Sequence, residues 1–156
     1  MRVTRAIVGL ATAGAAVLGT APATAAPAGA VEAGVWGHYG DVDPITVSSS
    51  LWRCGDSRTI TTGVIGRVCA VRAANGTGIG VHTAVIVRNN RSTSFLAQAD
   101  ASMWRSGVNM GHWICSAEWV EASTWSVCIG LTRHDAHSVS AKGWLNGWSV
   151  GSSPTV

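Results

Sequence analysis

Two copies of one short unit hold every cysteine of this chain. Trp52-Arg53-Cys54 is followed, fourteen residues after its cysteine, by Val68-Cys69. Trp113-Ile114-Cys115 is followed, twelve residues after its cysteine, by Val127-Cys128. Four cysteines allow three pairings, and the repeat favours Cys54–Cys69 and Cys115–Cys128, each within one copy. Closing loops of this length contributes roughly 3 kcal/mol per bridge on the chain-entropy view. Zinc is the rival use of four cysteines, but its C-x-x-C spacing is missing.

The amino terminus says where such bridges would form. Arg2 and Arg5 make a basic start, residues 6–18 are mostly apolar, and Ala23-Thr24-Ala25 supplies a small-x-small cleavage site. Residues 1–25 therefore read as a secretory signal, with an apolar run too short to span a bilayer as a helix. No later run is long enough to span, so the expected product is a secreted, extracellular protein with no membrane association. Disulfides are expected there.

The signal also accounts for much of the basic character. The chain has 11 Lys and Arg against 8 Asp and Glu. Losing Arg2 and Arg5 leaves nine against eight, a net charge of +1. The remaining arginines are scattered and Lys142 is the only lysine, which argues against nucleic-acid binding through a clustered basic face.

Beyond the signal, residues 26–43 read as a flexible tail. Gly29, Gly34, Gly37 and Gly40 recur through it, a composition that does not hold regular structure. Yet the tail carries Val35-Trp36 and His38-Tyr39. Large aromatics in a lead segment either tie it to its own domain or serve as a linear docking segment for a partner. Val35, Trp36, His38 and Tyr39 are the candidate partner-binding residues.

Residues 44–156 read as one domain of short strands. Strands are expected over 44–54, 66–73 and 79–88, the last two joined at Asn75-Gly76, whose residues tolerate the positive φ of a tight hairpin. Val81, Thr83, Val85 and Val87 would share an inward face. A strand with alternating Phe95, Ala97 and Ala99 follows over 92–103. Residues 112–119 and 124–131 suit a second hairpin, which would set Cys115 opposite Cys128 and put Trp113 and Trp119 on one face. A last strand over 138–148 could break at Asn146-Gly147. With no helical periodicity after the signal, the expected fold is all-β: an antiparallel β-sandwich with two intra-hairpin disulfides.

The catalytic and metal motifs fail on context. Gly147-Trp148-Ser149-Val150-Gly151 matches a nucleophile elbow, but that serine needs a strand-turn-helix and a later acid and histidine. Only five residues follow Gly151, none acidic or histidine. Gly55-Asp56-Ser57 reads as a turn after a strand. His134-Asp135-Ala136-His137 would have to turn adjacent side chains to one point to ligate a metal. His38 with Asp41 and Asp43 lacks the ligand density of a calcium loop. His82 and His112 fall on expected strands. No catalytic residue, metal ligand or cofactor is assigned.

Tryptophan carries the remaining signal: eight, against one Phe and one Tyr. They could form an aromatic core, since Trp against a disulfide is a recurrent sandwich device. Alternatively, exposed members such as Trp104, Trp113 or Trp148 could stack on sugar rings.

The signal, the two W-x-C…V-C units and Val85-Ile86-Val87-Arg88-Asn89-Asn90 together resemble small exported β-sandwich proteins of filamentous actinobacteria. One role among proteins of that build is the adaptor subunit of umbrella toxin particles. It joins a large repeat-bearing toxin to a lectin-bearing, protease-like subunit through an N-terminal segment. That resemblance implies docking by Val35, Trp36, His38 and Tyr39. The expected function is thus a secreted, non-enzymatic protein-binding module. The alternatives are a carbohydrate-binding module using exposed Trp and a protease inhibitor presenting a loop braced by Cys54–Cys69.

Overall fold

The computed structural model describes residues 30–73 and 79–156. The expected secretory signal and the expected turn at Asn75-Gly76 lie outside the described residues. All regular structure within them is β-strand, arranged as two packed sheets. Strands are numbered in chain order. The five-stranded sheet runs β1 (Val31–Ala33), β8 (Val108–Val120), β7 (Phe95–Arg105), β11 (Ser140–Leu145), β12 (Trp148–Ser152). The seven-stranded sheet runs β2 (Val35–Gly40), β9 (Thr124–Ile129), β6 (Gly80–Asn89), β5 (Val64–Arg72), β3 (Leu51–Cys54). There β4 (Arg58–Thr61) adds to β5, and β10 (Arg133–His134) adds to β6. Among the described residues every ladder is antiparallel except β1 with β8.

The sandwich and both disulfides agree with the sequence reading. Cys54–Cys69 joins direct partners in the β3–β5 ladder, with Cα atoms 4.0 Å apart. Cys115–Cys128 differs from the expectation. No hairpin joins its strands, because β8 pairs with β7 while β9 pairs with β6 and β2. Residues 121–123 carry the chain from one sheet to the other, and the bridge crosses the interior between Cα atoms 5.8 Å apart. The pairing was visible because the two cysteines sit symmetrically about the connection. The sheet switch was not, because a hairpin and a sheet-crossing connection share that symmetry.

The interior is built from small side chains. Val64, Val68, Val85 and Val87 of one sheet meet Ala97, Ala99, Ala101 and Ala141 of the other. Val81, Thr83, Val85 and Val87 all point inward and are fully buried, as their alternation predicts. The aromatic-core expectation is corrected: Trp113 is the only one of the eight tryptophans that is fully buried. A core of Val and Ala leaves little width for indoles, so the rest lie around the outside.

A register shift between Ala97 and Ala99 explains the fate of Trp119. Ala99 pairs with Cys115 but Ala97 pairs with Glu118, so β8 carries one extra residue there. One inserted residue exchanges the two faces of a strand. Trp113 and Cys115 therefore point inward, Val120 does too, and Trp119 is 58% exposed. The expected common face for Trp113 and Trp119 is lost.

Two further segments depart from expectation. Residues 44–50 are turns, with Asp43 accepting from the Ile45 amide, and the strand starts only at Leu51. An Asp before a proline and a serine run favours such side-chain-to-backbone turns over a ladder. At the far end, Asn146 and Gly147 both take positive φ (50° and 79°), and the expected last strand folds into the β11–β12 hairpin.

Candidate functional site

The segment expected as a flexible tail is tied down as two strands from Val31 on. Val31–Ala33 adds to β8, and Val35–Gly40 then adds to β9 in the other sheet. The switch happens at Gly34. A Cβ there would stand 2.8 Å from the Cys115 sulfur and 3.0 Å from the Ile129 carbonyl oxygen. The glycine content that reads as flexibility instead lets the chain pass close over a disulfide.

Side chains fix this lateral edge. The Trp36 Nε1–H donates to the Ser116 carbonyl at 2.7 Å, and its ring packs against the core. His38 bonds Ser126 through Nδ1 (3.1 Å) and Glu118 through Nε2 (2.8 Å), joining β2 to both β9 and β8. Glu32 accepts from the Trp113 indole at 3.1 Å and pairs with Arg133, whose guanidinium lies over the same ring. Tyr39 packs on the outer face of the seven-stranded sheet.

The four candidate docking residues therefore divide. Trp36 and Tyr39 pack within the domain, whereas Val35, 64% exposed, and His38 remain at the surface. Beside them the structure brings together residues that the sequence reading missed. His38, Glu118, Trp119 and Glu121 line a shallow depression of about 380 Å³. Only the β8 bulge could have announced Trp119, and a bulge has no sequence signature here. β1 covers β8 only as far as Ile114, so among the described residues no strand pairs with Ala117–Trp119 on that side.

The expected turns and histidine sites take other roles. Asp135 accepts the His137 amide and the Arg105 guanidinium, both at 2.9 Å. That backbone bond first, then the His137 side-chain bond and the Arg105 charge, hold its carboxyl below the ordinary value against the opposing effect of burial. Burial pushes His82 below the usual imidazole value. Among the described residues no three His, Cys, Asp or Glu side chains converge as metal ligands. Asp43 binds Arg67 at 3.2 Å, and His38 is engaged with Glu118 and Ser126. Ser149 stands in the β11–β12 hairpin, where no helix follows it, so the elbow geometry is absent around it. Gly55 lies against the β12 end, where a Cβ would stand 2.3 Å from the Ser152 carbonyl oxygen, while Asp56 and Ser57 are exposed.

On the outer face of the five-stranded sheet, Lys142 Nζ lies 4.5 Å from the Trp104 ring centroid. There His112 approaches Asp100 at 3.2 Å and packs 6.4 Å from Trp144, centroid to centroid. No helix among the described residues is long and apolar enough to cross a membrane. No family model, curated protein or solved structure matches the chain.

Proposed function

We propose that this chain is an exported, non-enzymatic binding module that docks a protein partner along the lateral edge where β2 and β8 meet. The observation that carries the reading is the exposed Trp119, which shares a depression with His38 at a stretch of β8 whose outer side no described strand pairs. An unpaired edge offers backbone donors and acceptors to an extended segment. A large exposed ring next to a shallow depression is the usual anchor of such interfaces. Glu118 and Glu121 favour a segment with basic residues. The two disulfides suit an oxidising compartment. The resemblance to umbrella-particle adaptors suggests a large secreted toxin or its lectin-bearing, protease-like subunit as the class of partner. The docking residues become Val35, His38, Glu118 and Trp119, because Trp36 could leave only by giving up its bond to Ser116 and its place against the core.

The test is site-specific photocrosslinking of the mature protein, with the reactive group at position 117 or, as control, at the exposed position 142 on the outer face of the five-stranded sheet. One partner should crosslink from 117 and not from 142. Trp119→Ala should weaken its binding at least about tenfold and leave thermal unfolding nearly unchanged. Equal binding by Trp119→Ala and the native protein would overturn the reading, as would crosslinking confined to position 142.

A further inference from the structure

The opposite lateral edge carries a second site of different chemistry. Among the described residues β12 pairs only with β11, and β4 pairs only with β5, so an outer strand of each sheet is left facing the other across an open mouth. Arg58, Thr59, Ile60, Trp148 and Ser149 line a depression there of about 400 Å³, within the range of small-ligand sites. Ile60 packs against the core and forms the floor. Trp148 is 68% exposed, the most exposed large apolar side chain among the described residues.

Arg58 is the second group of the site. Six ion pairs are formed among the described residues, and none includes it. Its guanidinium also has no hydrogen-bond partner among them, a state it shares with Arg53 and Arg91 and not with Arg67, Arg72, Arg88, Arg105 and Arg133; of the three, Arg58 is the one that lines this depression. The Arg58 side chain lies along Gly151, with Nε 3.1 Å from where a Cβ would stand. Gly151 has φ +92°, so a side chain there would be strained and would displace the arginine. Ser149 Oγ accepts from the Gly151 amide at 3.2 Å, which leaves its own proton free to donate outward.

We propose that this mouth binds a carboxylate-bearing pyranose, the uronic-acid unit of an acidic polysaccharide. The exposed indole offers a flat apolar surface to the C–H face of the ring. A guanidinium without a protein partner presents a fork that matches one carboxylate in two parallel bonds. Thr59 and Ser149 supply hydroxyls for the ring hydroxyls. A neutral sugar would leave the guanidinium without its complement. This site is independent of the protein-docking edge, which uses neither Arg58 nor Trp148.

The experiment is affinity gel electrophoresis of the mature protein in gels containing polygalacturonate, neutral dextran or dextran sulfate, followed by calorimetry with galacturonate oligomers and the free monomer. Polygalacturonate should retard the protein, and the two dextrans should not. Trp148→Ala and Arg58→Gln should each weaken binding at least tenfold, and Arg58→Lys should restore only part of the loss. Trp119→Ala should leave it unchanged. Tighter binding of oligomers than of monomer would assign the site to the polymer. Equal retardation by dextran sulfate would reduce the effect to bulk charge and overturn the proposal. Undiminished polygalacturonate binding by Arg58→Gln would overturn it as well.

Discussion

The outer faces of the two sheets are built on opposite plans. On the seven-stranded sheet, Ala84, Ile86 and Val127 are buried on the side away from the interior. Tyr39, Ile45, Trp52 and Trp125 cover them. Residues 41–50 help close that face through Ile45, with Asp43 held by Arg67. Arg67 and Arg88 both lie over the Trp125 ring, at 5.9 and 5.2 Å. On the five-stranded sheet, the outward residues of β7 are exposed Leu96 and Gln98, half-buried Asp100, and Ser102, which is buried between its strand neighbours His112 and Lys142; no hydrophobic cluster covers this face among the described residues. One face closes on its own chain, and the other stays open. The difference shows why so many tryptophans coexist with a core of Val and Ala: on one side they act as a lid, and on the other they lie at the surface.

Matched substitutions should separate the faces most clearly at Ile86 and Ile114. Ile86→Ala empties a site that is 1% exposed, and a cavity there should cost about 2–5 kcal/mol. Ile114→Ala on the half-exposed open face should cost about 1 kcal/mol or less. Urea unfolding of both variants measures the pair, and equal losses would mean that the open face is as well covered as the closed one.

A smaller contrast is expected between Trp125→Ala and Trp144→Ala. The first removes a lid and two cation–π contacts, each about 0.5–1 kcal/mol at a partly exposed site, besides its packing. The second removes a ring packed near His112. Trp125→Ala should therefore lower the unfolding midpoint more. Below both comes Asp43→Asn, which takes the carboxylate from a partly exposed Arg67. It should cost no more than about 1 kcal/mol. Its clearer readout is faster proteolytic cleavage within residues 41–50, and an unchanged cleavage rate would show that the ion pair does not hold the lid.

Much of this contrast is written in the chain. The segment from Val81 to Val87 is nearly continuous in apolar residues, as expected of a strand covered on both faces. Ala97 to Met103 alternates apolar and polar residues strictly, as expected of a strand with one open face. The disulfide pairing was legible because each bridge lies within one repeat. The lateral edges were not. Gly34 and Gly37 read as flexibility because a sequence does not show that the Cys115–Cys128 bridge passes 2.8 Å from where a side chain at Gly34 would be. Trp119 reads as sharing the face of Trp113 because one extra residue in β8 inverts the alternation with no marker such as Gly or Pro. The depression at Arg58 and Trp148 joins strands about ninety residues apart in the chain, a distance no local pattern bridges.

The smallest effect expected of the closed face is a pH dependence. His82 shares its strand side with Ala84 and Ile86, and burial lowers its pKa from the ordinary value of 6.5. Its Nδ1 is buried with no hydrogen-bond partner among the described residues, so protonation would bury a donor there without an acceptor from them. Between the depressed value and 6.5 the unfolded chain binds the proton and the folded one does not. Stability therefore falls as the pH drops below about 6.5 and stops falling, for this group, once the pH passes under the folded value. His82→Gln removes the titration. Urea midpoints at pH 7.5 and 5.5 should differ more for the native chain than for the variant. If the two chains lose the same stability over that interval, His82 reaches water freely and the closure of that face ends before β6 does.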